Sequence, residues 1–208
     1  QRGCMNGDDL ASELRDDNET EFSRLGSSKA MYALTGGEMD GEHVRGAAAT
    51  DALALAAVLE EWAEDAGDAT EALYADLTAA ARDHAAAVDD DPSLDEAPPL
   101  YDALAGFDAP AARLGSLLGR YLVVSEYASQ MVGFFVGDAD PMAANDFRDL
   151  RSELDAEHDR VVDTLDSACT TDDEWATARD AAEAVVEVAY DDYVETLESM
   201  GIKPKNVC

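Results

Sequence analysis

The chain has 208 residues, of which 47 are aspartate or glutamate and 14 are lysine or arginine, giving a net charge of -33. Such a surface repels itself at ordinary ionic strength, whereas near molar salt the screening length is only ~3 Å and most of the repulsion disappears. The composition therefore indicates adaptation to a very salty cytoplasm. It disfavours direct nucleic-acid binding, because no basic patch could release phosphate counterions.

The length favours one helical domain over residues 1–208 with a core of its own. Its three cysteines are odd in number and far apart, which fits neither a disulfide framework nor a CxxC metal site. Because the first residues also contain no apolar signal segment, we expect a reducing, cytoplasmic location. We expect Cys169 to be buried at the end of a packed helix, and Cys4 and Cys208 to be accessible.

Apolar residues recur every three or four positions along nearly the whole chain, and β-branched alternation is almost absent, so the fold class is predicted as all-α. The first predicted helix spans 8–36 and stops at a glycine pair. The second spans about 43–66. The third spans about 68–88 and carries His84 on its apolar face.

The acidic, proline-bearing segment 89–99 is predicted as a crossing loop, followed by a short helical turn over 100–107. A central helix begins at Pro110, the next helix spans about 141–169 and the last about 172–200. The start signals for the last two helices are Asp140 with Pro141, and Thr171 with Glu174 at capping-box spacing.

The most apolar stretch, 114–136, is predicted as a buried helix and not as a membrane span. Arg120, Glu126 and Gln130 interrupt it, and glycines dilute it further. No membrane association is expected.

One long crossover between the third and fourth helices is the topology of a ferritin-like four-helix bundle, here over 43–169. The helices at 8–36 and 172–200 are additional to that bundle. The tail 201–208 holds two of the three lysines of the chain. It is predicted to dock onto the acidic surface, with an exposed partner-binding segment as the alternative.

Di-iron bundles use one Glu on each of two helices and Glu-x-x-His on each of the other two. His84 lacks its carboxylate, since Ala81 stands three residues before it, whereas His158 has Asp155 at that position. Glu126 lies in the middle of the most apolar helix, where an unpaired charge is costly. Plainer interpretations are an exposed edge position for Glu126, a hydrogen-bonded core histidine for His84, and a helix-surface pair for Asp155 and His158.

Two stretches resemble rubrerythrin-like, ferritin-like proteins and together cover more than half of the chain. The first is 47–88, with Glu61-Trp62-Ala63, Leu77-Thr78-Ala79 and Asp83-His84, and the second runs from Ser125-Glu126 to Asp155-x-x-His158. The resemblance implies a carboxylate-bridged di-iron centre used for peroxide reduction or iron handling. The metal ligands that it implies are Glu126, Asp155, His158 and His84. Similar proteins of halophilic archaea carry a transcription antitermination label, which no residue of this chain supports or excludes.

The chain departs from the family pattern at its ligand positions. Ala81 stands where a bridging Glu belongs, and only the short Asp51 could replace the Glu of the first bundle helix. One hypothesis is therefore a bundle with a decayed di-iron site that serves as a non-catalytic scaffold or regulatory binding protein. The alternative is a rubrerythrin-type oxidoreductase or iron-handling protein with an unusual ligand set. We expect no cofactor, with iron as the alternative, and either a protein partner or self-association.

A metal-free bundle must still neutralise its inner carboxylates, because an unpaired buried charge is strongly destabilising. Lys29 is the only lysine in the body of the chain and lies close to the apolar stripe of the first predicted helix. Its ammonium is a candidate counter-ion of Glu126 and Asp155, and a solvent-facing Lys29 is the alternative.

We predict that folding depends on salt, because repulsion among the carboxylates must be screened before burial of the helix faces prevails. The melting temperature should rise steeply between low salt and molar potassium chloride, as followed by circular dichroism. A melting temperature that stays constant over that range contradicts this expectation.

Overall fold

The computed structural model describes residues 5–204, in which helices alternate with short connections and no strand occurs. This confirms the all-α prediction for the described residues. The helices are α1 (Gly7–Asp17), α2 (Glu19–Leu25), α3 (Ser28–Leu34), α4 (Gly41–Asp65), α5 (Asp68–Val88), α6 (Pro99–Ala105), α7 (Pro110–Gly137), α8 (Pro141–Ala168) and α9 (Asp172–Ser199).

The prediction of one continuous helix over 8–36 is wrong, since α1, α2 and α3 occupy that stretch. Asn18 ends α1, and its side-chain amide donates to the carbonyl of Leu14 at 2.9 Å. Gly26 ends α2, and its carbonyl accepts a hydrogen bond from the side chain of Gln130 at 2.7 Å. These polar contacts accompany the two breaks, and the N-terminal segment folds across α7, α8 and α9.

The remaining helix boundaries agree closely with the predicted ones. Asp140 caps α8 through its side chain, and Thr171 with Glu174 forms a complete capping box at the start of α9. The glycine pair after α3 stops that helix because Gly36 and Gly37 adopt positive φ angles of 61° and 87°, which side-chain-bearing residues rarely adopt.

The central helices run in two antiparallel pairs that are joined by the crossing helix. α4 and α5 form the first hairpin, α6 lies in the connection that runs back along α4, and α7 and α8 form the second hairpin. α7 runs antiparallel to α4, and α8 runs antiparallel to α5. The contacts that fix these directions are Asp51 with Arg120 and Asp65 with Arg113 between α4 and α7, and His84 with Glu157 and Asp76 with Arg160 between α5 and α8.

α9 is a further long helix that packs along α7 with the same direction. The backbones approach closely, since a Cβ atom on Gly115 would lie 2.0 Å from the carbonyl oxygen of Ala178. A Cβ atom on Gly119 would lie 2.7 Å from that of Ala182. α7 is thus enclosed by α8 and α9 and forms the buried axis of the molecule. None of the described helices is long and apolar enough to span a membrane.

The thiol of Cys169 is buried, as predicted, and burial raises its pKa to about 11. Cys4 and Cys208 lie outside the described residues. The start of the tail is docked, because the carbonyl of Lys203 accepts from Lys29 and that of Pro204 accepts from the hydroxyl of Tyr193.

We predict that Gly115→Ala destabilises the fold, because the added methyl group meets the backbone of α9 and not a side chain that could move. Overpacking of this kind costs about 1 to 3 kcal/mol. Gly133→Ala is the matched control on the same helix, since nothing lies within 4 Å of a Cβ at that exposed position. The control should gain roughly 0.5 to 1 kcal/mol through helix propensity. Urea unfolding in molar salt measures both, and equal effects would show that α7 and α9 are not in close contact.

Candidate functional site

The most deeply buried ionic contact joins α7, α4 and the crossing helix α6. The side chain of Arg120 is 2% exposed and that of Asp51 is 14% exposed. Arg120 Nη2 donates to Asp51 Oδ2 at 2.7 Å, and Arg120 Nε donates to the hydroxyl oxygen of Tyr101 at 3.0 Å. The Tyr101 hydroxyl in turn donates to Asp51 Oδ1. The three side chains therefore form a closed ring of hydrogen bonds.

The ring keeps a charge stable inside the apolar core. Burial by itself opposes the charged form of Arg120, but Tyr101 and Asp51 outweigh it, and the pKa of Arg120 is raised well above its ordinary value. Burial likewise raises the pKa of Tyr101 well above its usual range, so the phenol stays protonated and donates. Further hydrogen bonds help to offset the cost of burying an ion pair, and the ring supplies them to both carboxylate oxygens of Asp51 and to Nε and Nη2 of Arg120.

A second buried pair joins α5 and α8. His84 Nε2 lies 3.0 Å from Glu157 Oε2, and both side chains are about nine-tenths buried. His84 Nδ1 lies 3.0 Å from Oε2 of the more exposed Glu153. Because ionised carboxylates only accept, both ring nitrogens can donate only when the imidazole carries both protons. In that state the ring is a cation held between two carboxylates.

The two pairs border the same cavity at the centre of the bundle, which has a volume of about 50 Å³. Each of the four bundle helices contributes one charged side chain to it: Asp51 from α4, His84 from α5, Arg120 from α7 and Glu157 from α8. Most of the remaining wall is apolar. The guanidinium of Arg120 also lies over the ring of Tyr121, with Cζ 4.7 Å from the ring centroid.

The predicted ligands do not meet at this cavity. Of the four, His84 alone lines it. Asp155 and His158 line a separate groove beside α1, and Glu126 pairs with Arg15 of α1 at 2.8 Å. The counter-ion of Glu126 is therefore Arg15, and the prediction of Lys29 in that role is wrong.

The central residues do not suit a resident metal ion. Within residues 5–204, no three His, Cys, Asp or Glu side chains converge in a way that could hold one. Asp51 already accepts from Arg120 and Tyr101, and Glu157 already faces His84. A guanidinium cation is also not a metal ligand. We therefore derive no reaction step through iron.

Sequence reasoning missed Arg120 and Glu157 as site residues, although helical spacing could have found both. Arg120 follows Leu117 by three positions and precedes Val124 by four, so it shares their buried stripe. On α8, Glu157 likewise follows Leu154 by three positions and precedes Val161 by four. The predicted ligand His158 lies one position further along α8 and lines the groove beside α1 instead.

Comparisons of the chain with models of known families, with curated proteins and with solved structures find no match. No relative therefore indicates a role for the central cluster, and its role is inferred from its own residues.

We predict that Arg120→Met is strongly destabilising, because it leaves the carboxylate of Asp51 buried without its cation. Removing one partner of a buried pair costs about 3 to 5 kcal/mol. Arg160→Met is the control, since its pair with Asp76 lies at the surface and should change stability by less than ~1 kcal/mol. Urea unfolding in molar salt compares the two variants. Equal losses would mean that the central pair is no more important than a surface pair.

Proposed function

We propose that the chain is a ferritin-like helical bundle whose metal centre has been replaced by a protein ion-pair network. We further propose that it acts as a non-catalytic scaffold or regulatory binding protein in a high-salt cytoplasm. The helix directions support the proposal, since α4, α5, α7 and α8 run up, down, down and up with α6 as the long crossover.

The observation that carries the proposal is the set of positions that border the central cavity. A di-iron bundle needs one carboxylate on each of two helices and a Glu-x-x-His pair on each of the other two. The residues that line the cavity of this chain include a single charged position on α4 and on α7, and a pair of positions three residues apart on α5 and on α8. These positions hold Asp51, Ala81 and His84, Arg120, and Leu154 and Glu157.

The residues at these positions explain why the proposed bundle would be free of metal. Ala81 and Leu154 carry no donor atoms, and Arg120 adds a positive charge that repels a metal cation. The carboxylates of Asp51 and Glu157 are already paired with Arg120 and His84. A framework of this kind keeps its fold without iron and leaves the outer surface available for contacts.

We predict that protein purified in molar salt without chelator contains far less iron than the roughly two atoms per chain of a di-iron bundle. It should also show no peroxidase activity. Elemental analysis and a peroxide-consumption assay measure the two properties. Stoichiometric iron would overturn the proposal and support the rubrerythrin-type alternative.

A variant that restores the ligand pattern serves as the positive control. It carries Asp51→Glu, Ala81→Glu, Arg120→Glu, Leu154→Glu and Glu157→His, which together recreate the pattern of ligands given above. If the positions correspond as proposed, cobalt titration of this variant should reach roughly two ions per chain and the wild type should bind none at its centre. A folded variant that binds no cobalt would refute the proposed correspondence.

A further inference from the structure

Asp192 of α9 lines the central cavity and has no cationic partner within residues 5–204. The other four charged side chains of the lining form the two ion pairs described above. The carboxylate of Asp192 accepts a long hydrogen bond of 3.4 Å from the hydroxyl of Thr196. Burial raises the pKa of Asp192, and the carboxylates of Glu195 and Glu96 raise it further. A cation placed against Asp192 would offset the cost of its partial burial.

The phenol of Tyr127 is a second polar group without a partner at the same place. Tyr127 is 8% exposed, and its hydroxyl makes no hydrogen bond in the part of the chain that the structure describes. Burial raises the pKa of Tyr127 well above its usual range, and the nearby carboxylates of Asp51 and Asp192 add to the effect. The phenol therefore stays neutral, and its oxygen can accept a hydrogen bond from a donor placed beside Asp192.

Asp192 and Tyr127 lie where the central cavity meets a surface cleft of about 770 Å³. The cleft and the cavity also share three apolar residues, Leu34, Ala47 and Pro98. The outer lining of the cleft contains five further carboxylates, a single histidine and no lysine or arginine among the described residues. These are Glu42, Asp89, Asp91, Asp95, Glu96 and His43. The cleft therefore admits cations and disfavours anions, although molar salt screens its exposed carboxylates far more than the partly buried Asp192.

We infer that the cleft binds a primary aliphatic amine in its ammonium form. The ammonium group donates to the carboxylate of Asp192 and to the hydroxyl oxygen of Tyr127, and the alkyl chain contacts Leu34, Ala47 and Pro98. A potassium ion has neither N–H donors nor an alkyl chain, so it does not match these contacts. The inference goes beyond the proposed scaffold role and does not rest on it, because neither Asp192 nor Tyr127 is at a position of the di-iron pattern.

Methyl NMR of the wild-type protein in molar potassium chloride tests the inference, with butylamine at neutral pH as the probe. An aliphatic amine has a pKa of about 10.4, as in lysine, so the probe is charged. Butylamine should produce a saturable shift of the Leu34 methyl signals and leave the signal of the exposed Met142 unchanged. Two control compounds should shift neither signal over the same concentration range. Butanol has the same alkyl chain without the charge, and tetramethylammonium has the charge without N–H donors.

Variants of the two contact residues supply the second measurement. Asp192→Asn removes the carboxylate and Tyr127→Phe removes the hydroxyl, and each should weaken butylamine binding roughly tenfold or more. Asp191→Asn is the matched control, because it makes the same change of charge at the neighbouring exposed position, which does not line the cleft. Its affinity should stay within about twofold of the wild type. Circular dichroism establishes that each variant is folded, and Asp192→Asn should fold because it breaks no ion pair.

Any of four outcomes would overturn the inference. An unshifted Leu34 in the wild type would show that the amine does not enter the cleft, and an equal response to butanol would show that the apolar wall acts alone. Unchanged affinity in folded Asp192→Asn would remove the proposed contact. An equal loss in Asp191→Asn would indicate diffuse attraction to the acidic surface. Iron content, measured on the same sample, tests the proposed function separately, so either proposal can fail without the other.

Discussion

The buried contact between Arg120 and Asp51 is the interaction on which the rest of the structure depends. Arg120 lies in the middle of the most apolar helix, so its charge must be neutralised inside the protein. Asp51 supplies the opposite charge from α4, and Tyr101 completes the ring from the crossing helix. One arginine thus fixes the register of α4 against α7 and the position of α6 against both helices.

The same contact shapes the chemistry of the centre. A guanidinium beside the cavity uses the carboxylate that a metal would need, and the pair of His84 and Glu157 does the same on the opposite helices. The centre is consequently a cluster of paired polar side chains beside a small cavity with a mostly apolar wall. The strong negative charge of the chain stays at the outer surface, where salt screens it.

The sequence predicted the long helices well and the charged centre poorly. The helix starts at Asp140 and Thr171 depend on local capping hydrogen bonds, and the structure contains the predicted cap at each start. The breaks at Asn18 and Gly26 could not be predicted from periodicity, because they depend on local side-chain contacts and on the distant Gln130. Whether Glu157 or His158 faces the centre of the bundle depends on the rotation of α8 about its axis, and a rotation by one residue exchanges them. Apolar spacing defines that rotation only when the neighbouring helices are known. Glu126 was expected inside because its own helix is apolar, but Arg15 of α1 reaches it from the side.

The coupling free energy between Asp51 and Arg120 tests this view of the molecule most directly. It is measured by urea unfolding in molar salt of Asp51→Asn, Arg120→Met and the double variant. If the ring holds the centre together, the double variant should be less destabilised than the sum of the single variants by at least ~2 kcal/mol, because neither charge is then left unpaired. Additive losses would show that the two charges do not depend on each other and that another interaction fixes the bundle.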